Sequence, residues 1–500
     1  MAAALMLGSL TGATQVAAQV QTPAMPWDIN GDGFAEFVTG AYTEDLSAIS
    51  DAGVFHVLDG SSTGVTATGS QLYHQNTAGV PDTAQSDDLL GFSQASGDFN
   101  ADGFADLAVG APGEDLNAVR DSGLVNVFYG SAAGLSTVNA RTYSLSNTAY
   151  GARTDAFFGF QVVAGDFDDD GDSDLAIGAS GFGRVFVVKG SPSGLGTFLS
   201  VFGQNTTGVP GTHSSIDQFG SALAAGDANG DGRDDLAIGA IFDFEDRGFS
   251  SGSVTMLYGT ASGLSGTGAQ RWSKDSPGIG GNPASFGNND LSDSFGLQVA
   301  LADFDGDGFA DLAASAPGAP VTFSGVKAQD AGTINFIYGS VGGLTSSGSE
   351  HVTQATAGFP GNPATEDLMG FTLVGGDADG DGKAELAIFT PREESVIVVN
   401  GVLRTDPITG FAWTQNTPGI HGTTEAGDGF GGSLRFSSLN GDAFADLAVG
   451  VPGEDNAEGA AEIIYGSASG LTATGAQQFT QDTPGVPDVA QAGDQFGSFF

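Results

Sequence analysis

Short apolar runs recur along this chain, and each one ends at a Gly or a Pro. The run Asp106-Leu-Ala-Val-Gly-Ala-Pro112 is typical, and similar segments at 311–317 and 446–452 end in the same way. Runs this short, bounded by turn residues, are characteristic of buried β-strands, whereas a helix requires a longer helical periodicity. The hydrophobic pattern therefore predicts an all-β chain built from many short strands.

An acidic turn precedes each of these runs and is the clearest motif in the sequence. Its seven copies lie at 28–36, 98–106, 166–174, 227–235, 303–311, 377–385 and 438–446. Oxygen-bearing side chains occupy positions 1, 3, 5 and 9, a backbone carbonyl is expected at position 7, and Gly stands at position 6 where the loop must turn sharply. This ligand set suits a hard cation, and we expect Ca²⁺ in about six or seven sites.

The predicted ligand positions differ little from copy to copy. The residues are Asp28, Asn30, Asp32, Phe34 and Glu36; Asp98, Asn100, Asp102, Phe104 and Asp106; Asp166, Asp168, Asp170, Asp172 and Asp174; Asp227, Asn229, Asp231, Arg233 and Asp235; Asp303, Asp305, Asp307, Phe309 and Asp311; Asp377, Asp379, Asp381, Lys383 and Glu385; and Asn440, Asp442 and Asp446. The seventh copy has Ser438 at position 1 and Ala443 at position 6, so we expect its site to be weak or empty. These loops are not EF-hands, because position 12 carries Thr39, Val109 or another residue without a carboxylate.

The spacing of the turns predicts the architecture. Successive copies start about 68 residues apart, and a self-similar period of this size made of short strands indicates a propeller or a solenoid. A Phe-Gly or Gly-Phe pair precedes each turn after the first, a Gly-Ala-Pro-like turn such as 110–112 follows several of them, and a strand ending in Tyr-Gly-Ser or a relative comes next, as at 125–135.

These marks, in constant order, resemble the FG-GAP repeats of the integrin α-chain propeller and of related bacterial secreted and surface proteins. The resemblance covers residues 27–500. It implies a seven-bladed β-propeller of four-stranded blades, with calcium held in β-hairpin loops on one face and, as in integrins, ligand bound on the opposite face. An aromatic or apolar residue recurs six positions before a Gly, and we interpret it as interblade packing rather than a sugar platform: Tyr73, Phe202, Trp272, Val352, Trp413 and Phe479.

The two ends of the repeated region are each incomplete. No Phe-Gly strand precedes Asp28, and no acidic turn follows Phe496-Gly497. Either the C-terminal segment completes the first blade, which we favour because it removes open sheet edges, or the chain is cut within a further repeat. Residues 1–26 are expected to be a leader, although no basic residue occurs before Arg120; a loose N-terminus is the alternative.

Composition narrows the possible partners. Sixty acidic residues oppose 14 Lys and Arg, giving a net charge of −46, so neither nucleic acid nor an anionic lipid surface is an expected partner. The chain contains no Cys, which excludes a disulfide scaffold and a thiolate site. No later segment has the apolar length of a transmembrane helix. We expect a secreted or cell-surface protein and a monomeric propeller.

The predicted function is adhesion or ligand binding, with structural calcium and no catalysis. The ligand would be an extracellular protein or glycan, held by the irregular loops at 241–249, 280–293 and 318–330, unless these are spacers. A secreted hydrolase is one alternative, because paired acids are abundant. A propeller that only supports other domains of a larger surface protein is another.

Overall fold

A computed structural model describes residues 24–244, 251–281, 293–400 and 407–500. The predicted leader up to residue 23, and most of the loops 241–249 and 280–293, lie outside the described residues. Within the described part of the chain, no helix is long and apolar enough to cross a membrane. Helical structure is confined to short turns at Leu145–Asn147, Ser180–Phe182, Ser215–Asp217, Pro391–Glu393 and Glu454–Ala457.

The described strands form seven antiparallel sheets of three or four strands, which are the blades of a seven-bladed β-propeller, and one separate two-stranded sheet. Blade one has β1 (Phe37–Ala41), β2 (Val54–Asp59) and β3 (Thr66–Tyr73). Blade two has β4 (Ser93–Gly97), β5 (Asp106–Ala111), β6 (Leu124–Tyr129) and β7 (Ser136–Ser144). Blade three has β8 (Phe158–Gly165), β9 (Asp174–Ala179), β10 (Arg184–Val188) and β11 (Phe198–Phe202).

The remaining blades have four main strands each, as the resemblance to FG-GAP repeats implies. Blade four has β12 (Phe219–Gly226), β13 (Asp235–Ala240), β14 (Ser253–Tyr258) and β15 (Ser265–Trp272). Blade five has β16 (Val299–Ala302), β17 (Asp311–Ala316), an added hairpin of β18 (Val321–Phe323) and β19 (Val326–Ala328), then β20 (Thr333–Tyr338) and β21 (Thr345–Val352). Blade six has β22 (Leu373–Gly376), β23 (Glu385–Thr390), β24 (Ser395–Asn400) and β25 (Thr409–Trp413); blade seven has β26 (Leu434–Ser437), β27 (Asp446–Val451), β28 (Ala460–Tyr465) and β29 (Thr472–Phe479).

The order of strands places the loops on two faces. The first strand of each complete blade is innermost, and these strands contact one another in sequence from β4 to β26. Each acidic turn joins the first strand to the second, so all seven turns lie on one face. The connection between the second and third strands, and the connection to the next blade, lie on the opposite face because consecutive strands are antiparallel.

Neighbouring blades share hydrophobic cores. Val38, Phe55 and Tyr73 of blade one pack with Phe128 of blade two. The Tyr73 ring stacks on Phe55 with ring centroids 5.2 Å apart, and its hydroxyl donates to the Leu135 carbonyl at 2.7 Å. The interblade role predicted for the recurrent aromatic position is confirmed.

The innermost strand of blade one, which has no counterpart among β1 to β3, is assembled from the two ends of the described chain. Gly40 donates to the Phe499 carbonyl at 2.8 Å, and Gly497 donates to the Gly40 carbonyl at 3.1 Å. Farther along the same edge, Glu36 donates to the Trp27 carbonyl at 2.8 Å. Residues 496–500 and 25–27 therefore occupy consecutive parts of one innermost position, and the predicted pairing of the C-terminal segment with the first blade is confirmed.

Arg435 of β26 fastens this split strand to blade seven. Its guanidinium lies 4.0 Å from the ring centroid of Trp27 and also faces Phe37 and Phe500. It donates to the Val38 carbonyl at 3.2 Å, and burial lowers its pKa to about 9. Cation–π contacts of a desolvated guanidinium contribute on the order of 2 kcal/mol. One side chain thus touches both halves of the strand.

We predict that Phe496→Ala lowers the free energy of unfolding by about 3–5 kcal/mol, because a fully buried ring leaves a cavity. Chemical unfolding followed by tryptophan fluorescence measures the loss. Phe323→Ala is the matched control, since Phe323 is 38% exposed, and should change stability by no more than about 0.5 kcal/mol. Equal losses in both variants would contradict a closing role for residues 496–500.

Candidate metal-binding loops

The acidic turns hold their own shape through side-chain acceptors. In the second loop, the Asp98 carboxylate accepts from Asp102 N at 3.2 Å and from Gly103 N at 3.0 Å. Asn100 accepts from Asp102 N at 2.9 Å, and Asp102 accepts from Phe104 N at 3.0 Å. Such side-chain-to-backbone bonds define Asx-turns and direct the oxygens of positions 1, 3 and 5 toward the inside of the loop.

The sharp bend expected at position 6 is present in six loops. Its glycines have φ between +85° and +91° at Gly33, Gly103, Gly171, Gly232, Gly308 and Gly382. A side chain is strained in that region, which explains the choice of glycine. Ala443 in the seventh loop does not adopt positive φ, and the Ser438 hydroxyl donates to the Asp442 carbonyl at 3.4 Å. The seventh loop therefore differs where its sequence departs from the motif.

The acid at position 9 has a second role that the sequence does not reveal. Asp106 is completely buried and accepts from Phe99 N at 2.9 Å, within its own loop, and from Gly130 N at 2.9 Å, after the third strand. Asp235, Asp311 and Asp446 make the same pair of bonds. Each of these carboxylates thus ties the turn to the glycine of the Tyr-Gly-Ser segment.

Burial makes the position-9 carboxyls weak acids in the absence of a cation. Desolvation is the largest cause, and it raises the pKa of Glu36, Asp106 and Glu385 to about 8 and that of Asp174 and Asp311 to about 7. Neighbouring loop carboxylates add to the shift. A bound cation would offset both causes, since it supplies positive charge at the point where the carboxylates repel each other.

Adjacent loops are joined by backbone hydrogen bonds that complete a circle. The amide at position 8 of each loop donates to the carbonyl at position 1 of the preceding loop, as from Ala105 to Asp28 at 2.9 Å. The other bonds run from Ser173 to Asp98, Asp234 to Asp166, Ala310 to Asp227, Ala384 to Asp303, Ala445 to Asp377 and Ala35 to Ser438. The seven loops consequently form one bonded ring, which we call the loop ring.

Four of the seven loops gather three carboxylates closely enough to hold a metal ion. In each, one oxygen from every group lies within 4.8 Å of the others; the groups are Asp28, Asp32 and Glu36; Asp166, Asp168 and Asp170; Asp303, Asp305 and Asp311; and Asp377, Asp379 and Glu385. Among the described residues, the loops at 98, 227 and 438 have no such group. The 98 and 227 loops combine Asn at position 3 with the short Asp at position 9, whereas Glu36 in the first loop is long enough to compensate for Asn30.

Lys189 alters the third loop. It stands where four blades have a Tyr before a Gly, and its ammonium pairs with Asp168 and lies 2.8 Å from Asp170. Sequence reasoning missed this residue, although a Lys at that repeat position in a chain with few basic residues was a usable signal. An ammonium beside two ligand carboxylates would compete with a cation for the third site.

The donor atoms fit a hard cation. The side chains at positions 1, 3, 5 and 9 of the first six loops are carboxylates and amides, and their oxygens are ligands preferred by Ca²⁺ and Mg²⁺. Three buried loop oxygens lack a hydrogen-bond partner within the protein: Asp168 Oδ1, Asp174 Oδ2 and Asn229 Oδ1. Unsatisfied buried acceptors at predicted ligand positions are what a cation site requires. When bound, the ion would supply charge compensation and crosslink positions 1, 3, 5 and 9.

Seven blades of one repeated unit, with acidic hairpin loops on a single face, define a β-propeller whose loops could hold metal ions. The family model described as "FG-GAP repeat" matches residues 91–128, 158–195, 219–255 and 295–334, which fall in blades two to five. These residues contain FG-GAP repeats, and the chain is similar to integrin alpha chains and to phosphatidylinositol-glycan-specific phospholipase D.

The similarity to relatives is local. Phosphatidylinositol-glycan-specific phospholipase D of Rattus norvegicus is 35% identical over 165 residues, which is 31% of this chain and 18% of the relative. Integrin alpha-8 of Gallus gallus is 29% identical over 203 residues, or 39% and 17% of the two chains. The chain thus matches less than a fifth of the length of these relatives. A Bacteroides fragilis structure provisionally assigned as a 6-phosphogluconolactonase aligns over 87% of this chain and 93% of its own. The TM-score is 0.45 at 12% sequence identity, and we infer nothing about function from this alignment.

We predict that the metal-free protein becomes less stable as pH rises from about 5 to about 8. Unfolded Asp and Glu release their protons near pH 4, whereas the folded position-9 carboxyls, with pKa values raised to about 7–8, retain theirs. The folded state therefore loses stability as pH passes from the unfolded to the folded pKa. Thermal unfolding of calcium-free protein measures this trend, and added calcium should stabilise more at pH 8 than at pH 5, because its ligands must be deprotonated.

Proposed function

We propose that this protein is an extracellular calcium-binding propeller that holds a protein or glycan ligand, with calcium in a structural role. The observation that carries the proposal is the loop ring, which contains four groups of converging carboxylates. Relatedness to integrin alpha chains supports a location outside the cell, where calcium is abundant. The acidic surface supports a partner other than nucleic acid or anionic membrane.

Calcium would act on the whole ring rather than on isolated turns. An ion bound by Asp303, Asp305 and Asp311 would hold the turn whose position-1 carbonyl accepts from Ala384 of the next blade. Stiffening one turn therefore supports the contact between two blades. Binding to the folded state alone stabilises it by mass action.

We predict that Asp305→Asn weakens calcium binding at the fifth loop, because the cluster loses one of its three charges. Isothermal titration calorimetry should show about one fewer tight site, and the rise of melting temperature in millimolar calcium should shrink. Asp442→Asn, at position 5 of the seventh loop, is the control and should leave both quantities unchanged. Wild-type protein whose melting temperature ignores calcium would refute the calcium assignment.

The ligand surface proposed here lies on the face opposite the loop ring. The hairpin of β18 and β19 is inserted there in blade five, and its tip exposes Phe323 and Val326, which are 38% and 69% accessible. Val321 and Ala328 anchor its base by packing against Ala331. An anchored hairpin with an exposed apolar tip could contact a partner, and this role fits the predicted binding loop at 318–330.

Binding, rather than catalysis, is the activity we propose for the repeats. The position-9 carboxylates that might suggest acid catalysis already accept backbone hydrogen bonds, as Asp106 does from Phe99 and Gly130. A carboxylate held in this way maintains the fold of its loop and is poorly placed to exchange protons with a substrate.

We predict that Phe323→Ser combined with Val326→Ser abolishes ligand binding without changing the melting temperature. A glycan array and a panel of extracellular matrix proteins, probed in calcium, provide the readout. Val138→Ser is the matched control, because Val138 is 70% exposed on the outermost strand of blade two. Ligands retained by the double variant and lost by the control would place the binding surface elsewhere.

A further inference from the structure

A second set of acidic residues lies between the blades on the face opposite the loop ring. At each junction, one residue follows the last strand of a blade, one precedes the first strand of the next blade, and one follows that blade's second strand; we call the three an interblade triad. In order of entry into blades one to seven, the triads are Gln481, Asp494 and Glu44; Gln75, Asp88 and Glu114; Leu145, Ala156 and Phe182; Gln204, Asp217 and Asp243; Lys274, Asp293 and Ala319; Gln354, Asp367 and Glu393; and Gln415, Asp428 and Glu454.

The triad that enters blade two shows the arrangement most clearly. Gln75 Nε2 donates to Glu114 Oε2 at 2.9 Å and to Asp82 at 2.9 Å, so its amide lies between two carboxyls. Asp88 accepts from Gln85 N at 2.5 Å, and Gln85 Nε2 donates to Glu114 at 2.6 Å, so one residue binds both carboxyls. The side chains of Gln75, Asp88 and Glu114 are at most 2% exposed. Two carboxyl groups thus meet in the protein interior.

Two buried oxygens in this triad lack a partner. Gln75 Oε1 and Asp88 Oδ1 accept no hydrogen bond from any group of the protein. Two ionised carboxylates in contact would also repel strongly, because the interior screens charge poorly. A single proton on the carboxyl pair provides the missing donor and removes one of the two negative charges.

Three of the other junctions show how the same position can be neutralised, whereas the entries to blades six and seven keep both acids. In blade three, Leu145, Ala156 and Phe182 replace all three polar residues and pack in one apolar core. At the entry to blade five, Lys274 Nζ lies 3.7 Å from Asp293, and Ala319 replaces the second acid. At the entry to blade four, Arg271 donates to Asp243 at 2.8 Å. Each of these three junctions therefore has either a side-chain cation or no charged residue in its triad.

The entries to blades one and two have acid pairs and no such cation. Glu114 faces Gln75, Asp82, Gln85 and Asp88 from the preceding connection. At the other junction, Glu44 accepts from Gln481 at 2.6 Å, and the hydroxyl of the preceding Thr43 donates to the Asp494 carbonyl at 3.2 Å. Asp45, His74 and Asp488 line the same cavity as Glu44.

We propose that the acid pairs Asp88–Glu114 and Glu44–Asp494 each bind one proton at neutral pH and act as pH-sensitive latches between blades seven, one and two. Each latch joins the connection that enters a blade to the loop after that blade's second strand. Loss of the proton places like charges between these two segments. Alkaline pH would loosen this part of the face opposite the loop ring while leaving the metal loops, at the other ends of the strands, in place.

The direction of the pH effect follows from the environment of the four carboxyls. Burial is the largest cause, and it raises the pKa of Glu44, Asp88, Glu114 and Asp494 above the ordinary value. The unfolded chain releases these protons near pH 4, whereas the folded chain keeps one per pair at neutral pH. Stability is therefore lost as pH rises through the folded pKa values, and each retained proton changes the unfolding equilibrium constant about tenfold per pH unit.

The test is equilibrium unfolding of the full chain in saturating calcium between about pH 6 and about pH 9. Glu114→Gln keeps the size of the side chain and removes one titrating group. The factor by which the unfolding equilibrium constant rises per pH unit should therefore be about ten times smaller in this variant than in the wild type. Adding Glu44→Gln should remove a second factor of the same size. The triple change Gln75→Leu, Asp88→Ala and Glu114→Phe copies the apolar triad of blade three and should show the same reduced slope.

Glu366→Gln, at an exposed acid before the first strand of blade six, is the matched control and should keep the wild-type slope. Titration of the metal loops is common to all variants and cancels in the comparison, whether or not calcium binds. A wild-type slope in Glu114→Gln and in the triple variant overturns the proposal. So does calorimetry in which Glu114→Gln loses one equivalent of calcium, since the pair would then bind a metal ion.

Discussion

The backbone hydrogen bond between each acidic loop and the next is the contact on which this propeller most depends. It joins position 8 of one loop to position 1 of its neighbour at 2.8–3.0 Å, and it occurs at all seven junctions. Neighbouring blades also meet through side-chain packing, which has no comparable directionality. A directional bond at every junction fixes the height of each blade relative to the next. The acidic clusters built from the same nine residues are therefore connected directly to the contacts between blades.

The number of blades and the position of the loops could be predicted from the sequence because both depend on local repetition. Gly33 and its equivalents indicate the bend in each loop, and the repeat period indicates the extent of each blade. The pairing of residues 496–500 with Gly40 was also predictable, since the missing half-units at the two ends are complementary. Local pattern and global fold agree here at every level, as is expected of a sequence with few competing structures.

Other features could not be predicted because their partners are distant in sequence. The bond from Gly130 to Asp106 spans 24 residues, and nothing in the motif distinguishes a ligand carboxylate from one that also secures the third strand. Lys189 reaches Asp168 across 21 residues. The interblade triads combine three segments from two blades. Such contacts depend on how blades meet, which spacing alone does not define. The motif also counts seven loops whereas four bring three carboxylates together, because Asn at position 3 and a short Asp at position 9 reduce the convergence in others.

The large negative charge of the chain is divided between two environments. On one face, carboxylates converge in exposed or half-buried turns, where cations are accessible from solvent. On the other face, pairs such as Asp88 and Glu114 are sealed between blades. A count of 60 acidic residues treats these groups alike, yet their chemistry differs because each loop also has exposed carboxylates such as Asp102, whereas solvent is excluded from both acids of a pair such as Asp88 and Glu114.

The main-chain character of the loop ring gives each repeat freedom to diverge. Ser438 has no carboxylate, but its carbonyl still receives the bond from Ala35 at 3.0 Å, and the seventh blade keeps its place. After duplication, a unit of this kind can gain, lose or modify a site by side-chain substitution while its neighbours remain unaffected. The molecule can therefore carry seven different versions of one module in a single closed frame, each open to separate adaptation.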